Sequence, residues 1–404
     1  TRIALGAVSA TAGPTVASLT GDFFPAADRG RMYGLILGGD LVGSGIGFVL
    51  SGDISSALSW RFAFWWLVPP SLVLAWLVWR LPEPARGGLS QLPAGAGDFT
   101  ASHRVRPPAS RPGRTSGPEQ LDAAARAAAK AHVAPQAELV LHADPARRSV
   151  WWAIRYVLRV RTNVIIIVAS ALGYFFFTGL RSFGILYVTG HYGLSKPVGD
   201  MMLLAVGAGA LAGVFVGGRV SDRLLRRGHI RARIIVPVAC LLTLVPVLAP
   251  ALATTSVAMA LPLFILGAFL LGAPNPAMDA ARLDIIPAQM WGRAEGVRTV
   301  LRTLGEAGAP LLFGYVSQYV FGGPGAASSN GSNAGQAGSA GAATGLEYTF
   351  LVFLIPLLGA GLLALLALRS YPRDVATAAA SQQAISEAAA VRGADHGPAQ
   401  DPAA

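Results

Sequence analysis

The sequence predicts an all-α membrane protein of about nine transmembrane helices. Three observations lead there. The composition is 53% hydrophobic and only 13% charged, against about 25% charged residues in a soluble domain. Apolar stretches recur along the whole 404-residue chain, each near the roughly 20 residues a bilayer requires. Lys and Arg gather in alternate connections, as positive-inside topology demands. The same composition excludes a disordered chain. Cys240 is the single cysteine, so no internal disulfide or multi-cysteine metal site is expected.

The spans lie near 3–20, 32–51, 62–80, 163–188, 201–217, 234–253, 256–275, 298–321 and 349–368. Several contain Gly or Pro, which lipid-buried helices tolerate. Most of the 32 Lys and Arg sit in one set of connections: Arg29 and Arg31, twelve residues in 81–161, six in 219–233, then Arg282, Arg293, Arg298, Arg369, Arg373 and Arg392. The opposite connections hold Arg61 and Lys196. The basic set reads as cytoplasmic, with the C-terminus on that side. The net charge of +11 is then a topology signal. No nucleic-acid partner is expected, because the basic residues do not interleave with aromatics on one compact module. Only Lys130 and Lys196 are lysines, and Ala and Gly are abundant. That bias suggests a GC-rich bacterial genome and a bacterial cytoplasmic (inner) membrane, with membrane lipids as neighbours.

The first span runs outside to inside, and Thr1 already lies in an apolar segment. A piece is therefore expected to be missing from the front. Residues 1–82 read as a partial N-terminal bundle. Residues 83–147 form a cytoplasmic linker rich in Pro, Gly, Ala and Arg, with a helix-prone stretch at Asp122–Val133. Residues 148–374 read as a six-span bundle. It opens on an interfacial helix over 148–161, where Trp151, Trp152, Tyr156 and Leu158 lie among arginines. A flexible external loop is expected at 322–346. Its sequon at Asn330 carries no meaning in a bacterial protein. A disordered cytoplasmic tail is expected at 375–404.

The chain also repeats itself. A shift of 262 lays Pro14, Asp22, Pro25, Gly30, Arg31 and Gly34 on Pro276, Asp284, Pro287, Gly292, Arg293 and Gly296 without a gap. Both copies sit on the basic side, so the repeat is parallel. Parallel repeats about the membrane normal occur in secondary transporters with two six-helix halves. The second half here holds six spans and the first only three, so three helices are expected to precede the chain.

Gly218-Arg219-Val220-Ser221-Asp222-Arg223-Leu224-Leu225-Arg226-Arg227 resembles the cytoplasmic signature of the major facilitator superfamily, with Leu225 in place of its second glycine. Arg2 with Gly6 resembles the fourth-helix motif of that family, and Trp60-Arg61-Phe62 the start of its sixth helix. The segment Gly13–Gly34 is similar to the spinster-like branch, which includes lipid exporters. The antiporter signature of the fifth helix is not met: Gly39, Gly43 and Gly47 are present without its proline. The resemblance implies the major facilitator fold, two pseudo-symmetric helical bundles of which the N-terminal one is incomplete here. It also implies that Asp222 docks against the start of the helix beginning near Gly30, across the two halves. Gly218, Asp222, Arg223, Arg226 and Arg31 would then form a conformational switch. A solvated basic loop is the alternative.

Intramembrane charges are costly, so each is a functional candidate. Arg181 lies in the outer part of its span, with Tyr174, Phe177 and Thr178 on the same helix. A cation beside aromatics suits an anionic head group; snorkelling to the outer interface is the alternative. Arg2, Tyr174, Phe177, Thr178, Arg181 and Asn275 are the candidate substrate contacts. Asn275, between Pro274 and Pro276, marks a helix break. Asp40 and Glu306 are the candidates for carrying a proton. Arg302 and Glu306, at i and i+4, also fit a purely structural ion pair. Asp279 and Arg282 read as a gate or pair near the inner end. The ladders Gly39–Gly43–Gly47 and Gly209–Gly213–Gly217 predict close helix packing.

These features predict a secondary active transporter of a small organic or amphiphilic solute, working by alternating access and coupled to an ion or proton gradient. No enzyme, cofactor or metal is expected, and the chain is expected to act as a monomer on a small or lipid-like substrate. Two alternatives stand beside it: a drug/proton antiporter, and a non-transporting membrane scaffold or receptor acting through residues 83–161.

Overall fold

The computed structural model describes residues 2–84, 123–322 and 344–395. Among them there is no strand. Helix α1 (Arg2–Phe23) turns at Pro25 into α2 (Ala26–Ala57), followed by α3 (Phe62–Trp65) and α4 (Val68–Trp79). Beyond the linker come α5 (Ala123–Lys130), α6 (Val150–Arg159), α7 (Arg161–Tyr192), α8 (Lys196–Arg226) and α9 (Ala232–Ala253). Then follow α10 (Val257–Gly272), α11 (Pro274–Ile285) and α12 (Trp291–Tyr315). Helix α13 covers 344–352 and leads into α14 (Leu354–Asp395).

Seven stretches among the described residues are long and apolar enough to cross a membrane: α2, α3–α4, α7, α8, α9, α10–α11 and α13–α14. The sequence reading expected nine. The other two ranges are helical, as α1 and α12, but less apolar. Helix α1 is built largely of Ala, Gly, Ser and Thr, and α12 carries Arg293, Glu295, Arg298, Arg302 and Glu306.

Helix α8 is central, packing on α2, α7, α9, α10 and α11. Its glycines explain the closeness to α10. A Cβ on Gly209, Gly213 or Gly217 would strike the carbonyls of Ile265, Phe269 and Ala273, so only glycine lets the two backbones meet. The other ladder does not pack: a Cβ on Gly39, Gly43 or Gly47 would meet nothing within 4 Å, because no described helix covers that face of α2.

The core has two parts. One, toward the basic loops, gathers Tyr156, Val157, Leu225, Ile285, Trp291 and Tyr371. The other, toward the far end, joins Phe176, Phe264, Phe313 and Phe350. Phe313 and Phe350 meet edge to face at 5.2 Å between centroids, a geometry that aromatic pairs prefer. Between α10 and α11 the chain breaks at Pro274. The Asn275 amide donates to the carbonyls of Leu271 (3.3 Å) and Gly272 (3.4 Å), which the break leaves exposed.

The tail departs from expectation. Residues 375–395 are not disordered but continue α14. Their alanine-rich sequence favours helix, and Val375, Ala376, Ala378 and Ile385 are buried. Against them lies the end of the linker. Gln136 donates its N–H to the Thr377 hydroxyl (2.9 Å) and its amide to Asp374 (3.1 Å), and the Leu141 N–H reaches Ser381 (3.0 Å). The helix-prone linker stretch forms α5, which buries Ala124, Ala127 and Ala128 against α14, α2 and α8.

Helix α6 is two-sided, with Trp151 81% exposed and Tyr156 and Val157 buried. Burial pushes the Tyr156 hydroxyl up to about 12, so it stays protonated and donates to the Leu139 carbonyl at 3.2 Å. The expected loop at 322–346, the sequon at Asn330 and linker residues 85–122 lie almost wholly outside the described residues.

Candidate functional site

A cavity of about 330 Å³ opens between α2 and the group α7, α8, α10 and α11. Asp40 and Leu37 come from α2, and Tyr174, Phe177 and Arg181 from α7. Asn275 and Met278 come from the broken segment at α11. Residues 174, 177 and 181 recur at helical spacing, so one face of α7 presents two aromatic rings and a guanidinium. The walls are mostly Leu, Val, Ala and Gly. A charge of each sign, one amide and two aromatics in an apolar shell are the ingredients of a site that orients a polar head within an apolar body. A smaller apolar cavity of about 30 Å³ adjoins it inside α7–α10, sharing Leu180, Leu203, Val206, Ala268 and Leu271 with the first.

Four of the six candidate substrate contacts line this cavity: Tyr174, Phe177, Arg181 and Asn275. Thr178 lies outside its lining. Arg2 begins α1, and its side chain lies outside the described residues. Of the proton candidates, Asp40 lines the cavity. Glu306 does not; it pairs with Arg302 at 2.9 Å. Arg302 in turn sits 4.4 Å over the ring of Tyr174, a cavity-wall residue, so Glu306 reaches the wall only through Arg302.

Toward the basic loops, α2 and α8 are joined by Asp222. Its carboxylate accepts the backbone N–H of Gly30 at 3.1 Å and of Arg31 at 2.6 Å. Helix α2 begins at Ala26, earlier than the sequence suggested, so these N–H groups lie one turn inside the helix. Two glycines make the approach possible: a Cβ on Gly218 would collide with the Gly30 carbonyl, and one on Gly30 would meet Asp222 Oδ1 at 2.7 Å.

The cations that meet this carboxylate differ from those expected. Arg233, at the start of α9, lies 3.5 Å from Asp222 Oδ1, and its Nε lies 3.2 Å from Asp284. It also donates to the Ala26 carbonyl. Asp284 takes Arg29 at 3.4 Å and the Tyr371 hydroxyl at 2.8 Å. Both arginines and both aspartates are buried, an arrangement tolerable only when the charges compensate one another. Of the expected partners, Arg226 binds Asp28 at 3.0 Å at the exposed rim. Arg31 contributes its backbone, and its side chain is exposed, as is that of Arg223.

Asp279 and Arg282 do pair, at 2.7 Å. They belong to a larger buried group in which Arg282 and Arg298 share Glu295. Arg298 also lies 3.7 Å from Asp279.

The sequence profile of the Major Facilitator Superfamily matches residues 1–310. The chain belongs to the Major Facilitator Superfamily. It is a multi-pass membrane transporter of that superfamily. Two solved structures of a bacterial homolog to the human lysosomal transporter Spinster align with 90% of this chain. The inward-facing, occupied form has 21% identity and a TM-score of 0.48 over 68% of its own length. The inward-facing, unoccupied form has 18% identity and a TM-score of 0.47 over 69% of its length. No curated protein matches the sequence.

In this major facilitator chain, the residues that sequence reasoning missed are Arg29, Arg233, Asp284, Glu295 and Tyr371. A signal was present for two of them. Asp284 is the repeat partner of Asp22, and Arg29 precedes the repeated Gly-Arg pair, yet in the sequence Arg29 and Arg233 carry only a topology signal.

Proposed function

We propose that the protein moves an amphiphilic organic solute by alternating access, binding it in the cavity between α2 and α7. The observation that carries this reading is the pairing of Arg181 and Asn275 with Tyr174 and Phe177 around a mostly apolar space. Arg181 holds an anionic or zwitterionic head, and the apolar wall of the same cavity faces the hydrocarbon. Asp40 is the group that takes up and releases a proton as the cavity changes sides, and the gradient of that proton drives transport. The Asp222 cluster is the latch of the basic-loop end, which faces the cytoplasm of a bacterial cell and also holds the C-terminus. Residues 1–82 and 148–374 are the two moving halves.

Reconstituted vesicles test the reading. A fluorescent single-chain phospholipid should accumulate or leave when a pH gradient is imposed, and Arg181→Ala and Asp40→Asn should each abolish that flux. Flux untouched by both variants would overturn the assignment of this cavity. A hydrophobic cation driven by the same gradient, with the phospholipid ignored, would point to drug/proton antiport.

A further inference from the structure

At the end of α7 remote from Asp222, the imidazole of His191 faces two acceptors. Its Nε2 lies 3.0 Å from the carbonyl oxygen of Thr254. Its Nδ1 lies 3.3 Å from Oε2 of Glu347. A carbonyl oxygen has no proton to give, so Nε2 must carry an N–H. In a neutral ring that leaves the Nδ1 lone pair beside a carboxylate. The contact is attractive only when the pair holds one proton. It then reads as imidazolium and carboxylate, or as imidazole and carboxylic acid; the proton count is the same.

The surroundings hold the ring in place. From α7 itself, Tyr187 stacks on it at 5.0 Å and Tyr192 meets it edge-on at 4.7 Å. Their hydroxyls donate to the carbonyls of Leu252 (2.7 Å) and Ala251 (2.9 Å) at the end of α9. From α13 comes Glu347. The His191 side chain is 8% exposed and that of Glu347 is 20% exposed, so the pair is sheltered yet reachable by water. Neither residue lines the central cavity.

We propose that His191, Glu347 and the Thr254 carbonyl form a binding site for a single proton, separate from the cavity and from Asp40. When filled, it fastens three segments together: the end of α7, the turn between α9 and α10, and α13. When the proton leaves, the Nδ1 lone pair and the carboxylate repel, and α13 loosens from α7. The charge pattern puts this end outside the cell, so the site answers to external pH.

The test uses the full chain in lipid nanodiscs with ¹⁵N-labelled histidine. The His191 signal is assigned by its loss in His191→Gln. On the acid side, both ring nitrogens should report an attached or shared proton. Alkaline titration should remove the proton from Nδ1 in one step. Glu347→Gln, which removes the carboxylate beside Nδ1, should change that step. The wild-type unfolding temperature should fall as pH rises through that step, and Glu347→Gln should flatten the fall. A ring that stays unprotonated at Nδ1 between about pH 5 and 8, where histidine ordinarily titrates, overturns the proposal. So does a titration step that Glu347→Gln leaves in place. If His191→Gln fails to fold, the signal that moves in Glu347→Gln supplies the assignment, and no moving signal counts against the site.

Discussion

Asp222 on α8 accepts the backbone N–H of Arg31 on α2 at 2.6 Å, so the bond joining these two helices uses a main-chain group that side-chain substitution at Arg31 leaves intact. The carboxylate, not the arginine side chain, is the sensitive half of the contact.

Asp222→Ala should therefore open the basic-loop end. It strips Arg233 of one carboxylate and removes the acceptor that ties the Gly30 and Arg31 N–H groups to α8. Removing one partner of a buried ion pair costs about 3–5 kcal/mol. The expected readout is faster labelling of a cysteine placed at Ser170, a cavity-lining position, by a membrane-impermeant thiol reagent added from the side of the basic loops. Arg31→Ala should leave the labelling rate near that of the parent.

Gly218→Ala and Gly43→Ala should part company. The first drives a Cβ into the backbone of Gly30 and should destabilise the closed form by about 1–3 kcal/mol, the usual cost of overpacking. The second meets open space and should be neutral, or gain about 0.5–1 kcal/mol from reduced backbone freedom. Unfolding temperatures in one detergent compare them directly.

Arg181→Lys should separate charge from shape. If the guanidinium holds an anionic head by two parallel hydrogen bonds, lysine keeps the charge and loses the fork. Transport KM should rise about tenfold, as expected when a charged hydrogen bond worth about 1.5–3 kcal/mol is lost. Arg181→Ala, which loses charge and fork together, should abolish transport.

Ser381→Ala should release the linker. The half-buried Leu141 N–H then loses its acceptor, at a cost of about 0.5–1.5 kcal/mol, the net worth of one hydrogen bond. Hydrogen exchange over 136–141 should quicken, while exchange in α7 and α8 stays as before.

Much of the architecture was readable from residue order. The apolar runs located α2, α7, α8, α9 and α10, and Pro274 with Pro276 marked the break that Asn275 bridges. The reach of α14 was not readable, because Thr377 and Ser381 look like tail residues until the linker is seen to bind them. The site was legible in part. The spacing of 174, 177 and 181 revealed a face, and Asp222 stood out in its motif. Arg233 did not, because six basic residues crowd 219–233 and only burial separates the one that bridges two aspartates from those that face water. Glu306 was legible in two ways: its depth along α12 suits a proton carrier and its spacing from Arg302 suits an ion pair, and the structure holds that pair at 2.9 Å.

The glycine seam between α8 and α10 has a bearing on how motion in this molecule can be recorded. Where two main chains touch through Gly209, Gly213 and Gly217, there are no side chains to re-sort. One helix cannot slip along the other without breaking the whole line of contact at once. Helices α8 and α10 therefore travel as a single beam. A spectroscopic probe fixed to the exposed side of α10, at Met259 or Leu266 for example, reports the position of α8 without touching the cavity or the Asp222 contact.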